Sequence, residues 1–192
     1  QVPSGWQNVL TAWSLAWMSA CREYVEHSGD TGFLEVIYPS LARCAEGFLD
    51  RVGPSGCLEI AAWNMLDWAP MDTPDRGIVT HQNASLVQAL RDVAWVAGRL
   101  AHREDEADYL AEAEKIRGAM DRALWSEERA AYRDCIREDG TPSGVFSVQT
   151  NTMVYLADCA PGVRRKAVER VLLEPPEDFV RIGSPFVTFF YY

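Results

Sequence analysis

Positive charge is scarce in this sequence. Lys and Arg number 18 against 28 Asp and Glu, which gives a formal net charge of −10. The one short basic cluster is residues 164–166, and no Lys/Arg-rich stripe follows a helix or a strand. Nucleic-acid binding depends on many phosphate contacts from cationic side chains. The charge balance therefore argues against a nucleic-acid partner.

Long apolar runs and paired cysteines are also missing. No apolar stretch approaches the roughly 20 residues needed to cross a bilayer, so no membrane partner is expected. The five cysteines are odd in number, scattered and without a C-x-x-C pair. This pattern argues against a disulfide framework or a zinc site and favours a reduced compartment, cytoplasmic rather than secreted. The three histidines lack ligand spacing, so we predict no metal and no other cofactor.

No motif for nucleophilic or metal-dependent catalysis is present. The chain has no G-x-S-x-G, no phosphate-binding Gly loop and no H-E-x-x-H. Hydrolysis of a glycosidic bond usually takes a pair of carboxyl groups, and only Asp67 is a plausible member of such a pair. Asp67 lies between Leu66 and Trp68, where partial desolvation would perturb its pKa. No catalytic residue can be assigned from these motifs.

Apolar residues recur at helical spacing over most of the chain. Pro39 interrupts the second helical pattern and is expected to kink or divide it. Two long stretches, about 53–80 and 126–147, are rich in Pro and Gly and predicted to be irregular. The predicted helices cover approximately residues 9–28, 31–49, 83–100, 105–124, 150–159 and 162–173, with a seventh starting at 184.

The helices form three predicted hairpins, whose first helices recur at intervals of roughly 65–75 residues. Links within a hairpin are short and make antiparallel neighbours, whereas links between hairpins are long. All long links then lie at one end, as in an all-α (α/α)6 toroid with inner and outer helices. We predict a single partial domain, residues 1–192, that forms about half of such a barrel. Because the chain lacks an initiator Met and ends in an apolar run, we expect it to be an internal piece that packs against the remainder of its own polypeptide.

Indoles and carboxamides cluster just before or at the start of the predicted inner helices. If those helices are parallel, these side chains gather at one end of the bundle. An indole face suits the C–H face of a sugar, and amides and carboxylates suit its hydroxyls. The candidate sugar-binding residues are Trp6, Asn8, Asp67, Trp68, Gln82 and Asn151.

Each candidate also has a structural explanation. Asp67 could cap a helix or pair with Arg76. Asn83 could cap the third helix and leave Gln82 free, and Asn151 has the same ambiguity. Trp6 and Trp68 could be packing residues, although both lie in Gly/Pro-punctuated segments beside polar neighbours. Trp13, Trp17 and Trp95, in contrast, have the helical spacing of core residues.

A series of short motifs resembles glycoside hydrolase family 78, the bacterial α-L-rhamnosidases, which are six-hairpin glycosidases. The resemblance spans nearly the whole chain and rests on the order and spacing of the motifs. In chain order, the motifs are Tyr24 with Ser28-Gly29-Asp30, Phe33-Leu34, Tyr38-Pro39-Ser40-Leu41, Leu66-Asp67-Trp68, Asn83 with Ala89-Leu90, Ile116-Arg117, Leu124-Trp125, Ala131-Tyr132-Arg133-Asp134, Gln149-Thr150-Asn151 and Gly183-Ser184-Pro185-Phe186.

The resemblance implies an inverting hydrolase that releases terminal L-rhamnose from glycosides or polysaccharides. It also implies that Trp6 and Trp68 line the sugar pocket, with Asp67 beside them. The family's general acid normally precedes the matched region and its general base follows it, so neither is carried over to this chain. Gln7-Asn8 after Trp6 departs from the family's more usual Trp-x-Asp.

Two other functions remain open at this stage. One is another six-hairpin glycosidase, glucoamylase-like or trehalase-like, which the spacing of flanking acidic motifs would reveal. The other is a non-catalytic carbohydrate-binding toroid, which would lack an acidic pair facing Trp68.

Overall fold

The computed structural model describes residues 10–192, which form seven helices and four short strands. The helices are α1 (Thr11–Ser28), α2 (Gly32–Leu49), α3 (Thr80–Arg99), α4 (Arg103–Leu124), α5 (Val148–Leu156), α6 (Val163–Leu173) and α7 (Pro185–Tyr191). The strands are β1 (Gly77–Val79), β2 (Trp125–Ser126), β3 (Ala131–Tyr132) and β4 (Cys135–Arg137). The predicted all-α class and the seven predicted helices are confirmed.

The turn between α1 and α2 follows from local sequence. Helix α1 ends at Gly29, whose φ of 71° is the left-handed conformation that glycine adopts readily, and its N–H donates to the carbonyl of Val25. Asp30 then accepts a hydrogen bond from the N–H of Phe33 at 3.2 Å. Asp30, rather than Thr31, thus satisfies a free N–H in the first turn of α2.

Helix α2 is not divided at Pro39. It continues through 18 residues with the proline inside. Leu34, Tyr38, Leu41 and Ala45 on one face of the helix are buried on both sides of Pro39. Burial of this continuous apolar face offsets the lost backbone hydrogen bond. Of the two effects expected of Pro39, division of the helix is therefore wrong, and a kink stays a prediction.

Helix α3 is the centre of the domain. Fourteen of its 20 residues are buried, and it packs against α1, α2, α4 and α5. Helix α5 in turn contacts α7. The odd-numbered helices therefore form one row of neighbours, α1–α3–α5–α7, and α2, α4 and α6 pack behind them. The first three helices of this row begin at residues 11, 80 and 148, so they start 69 and 68 residues apart.

The two long links are not irregular throughout, because they pair with each other. Strand β1 of the first link lies antiparallel to β4 of the second, with Ile78 opposite Ile136. Strands β2 and β3 form a separate small hairpin, with Trp125 opposite Tyr132. The β1–β4 pairing brings both links to the same end of the bundle, where α3 and α5 begin.

Helices α3 and α5 hold these links by the same device. The N–H of Leu58 donates to Oδ1 of Asn83 at 2.7 Å, and Nδ2 of Asn83 donates to the carbonyls of Leu58 and Val79. Asn151 makes the equivalent three bonds, with the N–H and carbonyl of Tyr132 and the carbonyl of Ser147. In each case the backbone N–H and carbonyl of a link residue bind a side-chain amide in the way that they would bind a neighbouring strand.

Candidate functional site

The candidate site lies where the links meet the first turns of the inner helices. Trp6 and Asn8 lie outside the described residues, so the structure bears on the other four candidates. Gln82 and Asn151 lie in the first turns of α3 and α5, two helices in direct contact. Asp67 and Trp68 lie in the first link, and Asp67 reaches the first turn of α5 through Gln149. The parallel inner helices thus bring these four residues to one end of the bundle.

Trp68 is an exposed indole on this end. Its relative exposure is 72%, and Trp63 beside it is 42% exposed. The two rings meet edge to face, with centroids 6.3 Å apart and planes at 74°. They border an open depression of about 440 Å³, which is lined by Trp63, Met65, Asp67, Trp68, Ala69, Pro70 and Thr73. Trp68 is therefore not a core packing residue, since most of its surface faces out of the fold.

The carboxylate of Asp67 is engaged inside the protein. Oδ2 accepts from Nε2 of Gln149 at 2.8 Å and from the N–H of Gly183 at 2.7 Å. Oδ1 accepts from the N–H of Trp68 at 2.8 Å and from the hydroxyl of Ser184. Burial alone would raise the pKa of Asp67, but the hydrogen bonds from Ser184, Gly183, Gln149 and Trp68 together hold the pKa below its ordinary value.

Asp67 therefore joins three segments: the first link, α5 and the start of α7. Ser184 is the residue before the first turn of α7, and the carboxylate binds its hydroxyl and the N–H of Gly183 just before it. Arg76, the alternative partner, lies 3.6 Å from Glu138 instead. Among the described residues 10–192, Asp67 thus neither caps a helix nor pairs with Arg76, and its structural role is to join these segments.

A second carboxylate, that of Asp134, holds the first link at Asp72, five residues after Asp67. It is fully buried and accepts from the hydroxyls of Ser147 at 2.6 Å and Thr150 at 2.7 Å, and from the N–H of Asp72 at 3.0 Å. Burial raises the pKa of Asp134, against the opposing effect of these hydrogen bonds. The carboxylate of Asp72 accepts from Arg137 and Ser143, both at 2.6 Å.

Gln82 and its neighbour His81 are buried polar side chains of a different kind. Neither the amide of Gln82 nor the ring nitrogens of His81 has a hydrogen-bond partner among residues 10–192. The sequence had suggested that Asn83 and Asn151 could be helix caps, but neither residue caps its helix. Their amides bind the links, and Ser147 caps α5 by accepting from the N–H of Thr150 at 3.1 Å. Direct sugar contact by Asp67, Trp68, Gln82 and Asn151 stays a prediction.

A second cavity, of about 620 Å³, lies in the concave face of the inner row. Trp13 of α1 and Phe186 of α7 face each other there, with ring centroids 4.8 Å apart. Further along α1, Arg22 binds the buried carboxylate of Asp92 at 2.9 Å, and Gln88 binds it at the same distance. Trp13 keeps 42% of its surface exposed, so it is only partly a packing residue.

No group of three His, Cys, Asp or Glu side chains in residues 10–192 is placed to hold a metal ion. No helix in that range is both long and apolar enough to cross a bilayer.

Sequence reasoning missed the anchoring roles of Asp72, Asp134, Gly183 and Ser184. Asp72 lies in the Pro/Gly-rich first link, two residues before Pro74, and its carboxylate binds two side chains of the second link. The signal for the other three was present, because Asp134 and the Gly183-Ser184 pair fall in motifs that carry the family resemblance. Their role depends on contacts across the chain, which the motifs do not specify.

The fold and the site together define a class of protein. A row of parallel inner helices backed by outer ones, with an aromatic depression at the end where the links meet, is part of an α/α toroid of the glycosidase type. The chain matches the model of the bacterial alpha-L-rhamnosidase 6 hairpin glycosidase domain over residues 1–161. It belongs to that family.

Two solved structures are similar to this chain. The family 78 rhamnosidase of Bacillus sp. GL1 is 44% identical, with a TM-score of 0.96 over 100% of this chain and 20% of that one. The rhamnosidase from Klebsiella oxytoca with rhamnose bound is 19% identical, with a TM-score of 0.78 over 96% of this chain and 34% of that one, and this likeness concerns the fold alone. The chain thus spans a fifth to a third of the length of these relatives. A search of curated proteins found no match.

Proposed function

We propose that the protein carrying this domain is an α-L-rhamnosidase, which releases terminal L-rhamnose from glycosides or polysaccharides with inversion. The family membership and the Bacillus relative support the reaction class. Within this chain, the observation that carries the proposal is the exposed indole of Trp68 at the inner-helix end of the bundle. An exposed indole offers a flat apolar surface on which a sugar ring can stack.

The depression offers both surfaces that a sugar needs. Trp63 and Trp68 supply apolar area at an angle to each other, so a ring stacked on one indole meets the edge of the other. Backbone and side-chain polar atoms of the lining residues, such as the hydroxyl of Thr73, are available for sugar hydroxyls. The substrate-binding role of Trp6, Asn8, Gln82 and Asn151 remains part of this proposal.

The chemistry must come from carboxyl groups other than those described above. Both oxygens of Asp67 are occupied by four donors, and Asp72 is bound to Arg137. An inverting hydrolase needs a general acid and a general base about 6.5–9.5 Å apart. We propose that both are supplied by the rest of the toroid and that this domain supplies the stacking wall.

The reaction class is tested with the intact protein on p-nitrophenyl α-L-rhamnoside and, in parallel, on p-nitrophenyl α-D-glucoside and trehalose. Hydrolysis of the rhamnoside alone is expected. Hydrolysis of the glucoside or of trehalose would replace the proposal by another six-hairpin glycosidase. Binding of rhamnose without hydrolysis of any substrate would indicate a non-catalytic toroid.

The site is tested by Trp68→Ala. Loss of an aromatic stacking partner costs about 0.5–1.5 kcal/mol, so kcat/KM should fall roughly threefold to tenfold. Tyr24→Ala is the matched control. Tyr24 is a half-exposed aromatic near the far end of α1, about 20 Å along the helix from its first turn. Equal kcat/KM values in wild type and Trp68→Ala would show that the depression is not part of the substrate site.

A further inference from the structure

The segment Asp67–Asp72 is held by hydrogen bonds at both of its ends, which we call its two anchors. Its first residue is held through its side chain, which binds Gln149, Gly183 and Ser184. Its last residue is held through its main chain, because the N–H of Asp72 donates to Oδ2 of Asp134 at 3.0 Å, and through its carboxylate, which accepts from Arg137 and Ser143. Between these points lies Trp68, most of whose surface is exposed. The indole has little packing of its own to fix it, so its position depends on the anchors.

Both anchors end on the first turn of α5. Asp67 reaches that turn through Gln149, and Asp134 reaches it through the hydroxyls of Ser147 and Thr150. Asp134 is itself fixed on both sides by its backbone. Its N–H donates to the carbonyl of Val145 at 3.0 Å, and its carbonyl accepts from the N–H of Thr80 at 2.9 Å. One buried residue thus connects α3, α5 and both links, through its backbone and its side chain together.

Residue 134 must offer an acceptor to the N–H of Asp72. Two hydroxyls point at Oδ1 of Asp134 and the N–H of Asp72 points at Oδ2, and no cation lies among these partners. A hydroxyl accepts as well as donates, so asparagine, with its oxygen toward Asp72 and its NH₂ toward the hydroxyls, would keep all three contacts. Leucine has a similar shape but no acceptor atom. In Asp134→Leu the N–H of Asp72 loses its partner, and Asp72 is then held only by its carboxylate, through Arg137 and Ser143.

We propose that Asp134 is a positioning residue that fixes the Asp67–Asp72 segment and thereby orients the indole of Trp68 toward the sugar. This inference rests on the proposed function of the depression. Asp134 is wholly buried and touches no substrate, so its effect on binding passes through Trp68.

The experiment is a double-mutant cycle in the intact protein with Asp134→Leu, Trp68→Ala and the double variant. Asp134→Leu should raise KM for the aryl rhamnoside about threefold to tenfold with little change in kcat, since a hydrogen bond that positions the indole is lost. In the Trp68→Ala background the same substitution should change KM no further, because there is no indole left to orient. Asp75→Leu is the matched control: Asp75 is an exposed carboxylate of the same link, and its side chain makes no hydrogen bond within residues 10–192.

A second measurement does not depend on activity. Hydrogen exchange of the backbone amides of residues 67–72 should be faster in Asp134→Leu than in wild type and unchanged in Asp75→Leu. If Asp134→Leu does not fold, Thr150→Val takes its place, since it keeps the side-chain shape and removes one of the three partners of Asp134. The same loosening is then expected, to a smaller extent.

The outcomes separate this inference from the proposed function. Additive effects of Asp134→Leu and Trp68→Ala on KM, or unchanged exchange in residues 67–72, would overturn the positioning role. Unchanged KM in Trp68→Ala would overturn the proposed function of the depression, whatever the exchange shows. A raised KM that is absent from the Trp68→Ala background, with faster exchange, supports both.

Discussion

Gly183 lies against Trp68 so closely that a Cβ atom at residue 183 would overlap the carbonyl oxygen of Trp68. The obstructing atom belongs to the backbone, so no side-chain rotation can relieve the overlap. The same glycine donates its N–H to Asp67 at 2.7 Å. The start of α7 and the segment that carries the exposed indole are therefore packed backbone to backbone, and only glycine fits between them.

Gly183→Ala should accordingly push the Trp68 segment away from α7. We expect a loss of stability of about 1–3 kcal/mol, as for other overpacked sites, and a raised KM for the aryl rhamnoside. Thermal or denaturant unfolding together with kinetics measures both effects. Gly144→Ala is the control, because Gly144 is exposed and a Cβ atom there would meet no heavy atom within 4 Å. Equal stability of the two alanine variants would contradict this account of Gly183.

Asn151 should be a strong determinant of stability. Asn151→Ala leaves the buried N–H and carbonyl of Tyr132 without their partners, and each such group costs about 1–3 kcal/mol. Asn151→Asp should be worse, because a carboxylate would then face the carbonyls of Tyr132 and Ser147. Unfolding in denaturant measures the loss. Thr152→Val, which removes only a hydrogen bond within α5, should change stability far less.

A stable Asn151→Ala variant would show that the amide does not carry the link. If its stability were normal and its affinity for rhamnose were lost, Asn151 would instead be a sugar ligand, as the sequence analysis suggested. The experiment therefore also decides between the two explanations for this residue.

Local signals made most of the fold predictable. Helical spacing, the left-handed Gly29 and Pro185 at the start of α7 are all readable within a few residues of sequence. Pro39 misled because the penalty for proline is local, whereas the burial that offsets it comes from other helices. Asn83 and Asn151 misled for a similar reason: they lie near a helix start, where a cap is the common role, but their partners are in the links.

The candidate site was less predictable than the fold. Trp68 could be singled out because its neighbours are polar and its segment is rich in proline. The environment of Asp67 could not, since its partners Gln149, Gly183 and Ser184 lie 82, 116 and 117 residues away in sequence. No periodicity or short motif encodes such contacts.

The concave face of the inner row exposes aromatic side chains. Phe189 is 80% exposed and borders the cavity beside Trp13 and Phe186. Large exposed apolar patches drive association, so the 192-residue chain alone should bind a hydrophobic dye and self-associate. Phe189→Ser should reduce both. Leu173→Ser is the control, since Leu173 of α6 is 76% exposed but does not line this cavity. A monodisperse chain that binds no dye, with a sharp thermal transition, would contradict this prediction.

His81 should make the domain sensitive to acid. Its imidazole is fully buried in the first turn of α3, and burial lowers its pKa to about 3. In the unfolded chain the pKa of a histidine is about 6.5. Between these two values the unfolded state binds a proton that the folded state does not, so stability is complete above about pH 6.5 and falls as the pH is lowered toward 3. The slope from this one group is at most about 1.4 kcal/mol per pH unit.

His81→Gln should remove this component, and its stability should therefore decline less between about pH 7 and pH 4 than that of wild type. The comparison uses slopes rather than absolute stabilities, because the substitution also changes packing. The raised pKa of the buried Asp134 acts in the opposite direction, but it is present in both proteins and cancels. His27→Gln, at an exposed position near the end of α1, should keep the wild-type slope. Denaturant unfolding across this pH range gives the three slopes. Parallel curves of stability against pH for wild type and His81→Gln would contradict this prediction. They would show that the imidazole of His81 gains its proton as readily in the folded protein as in the unfolded chain.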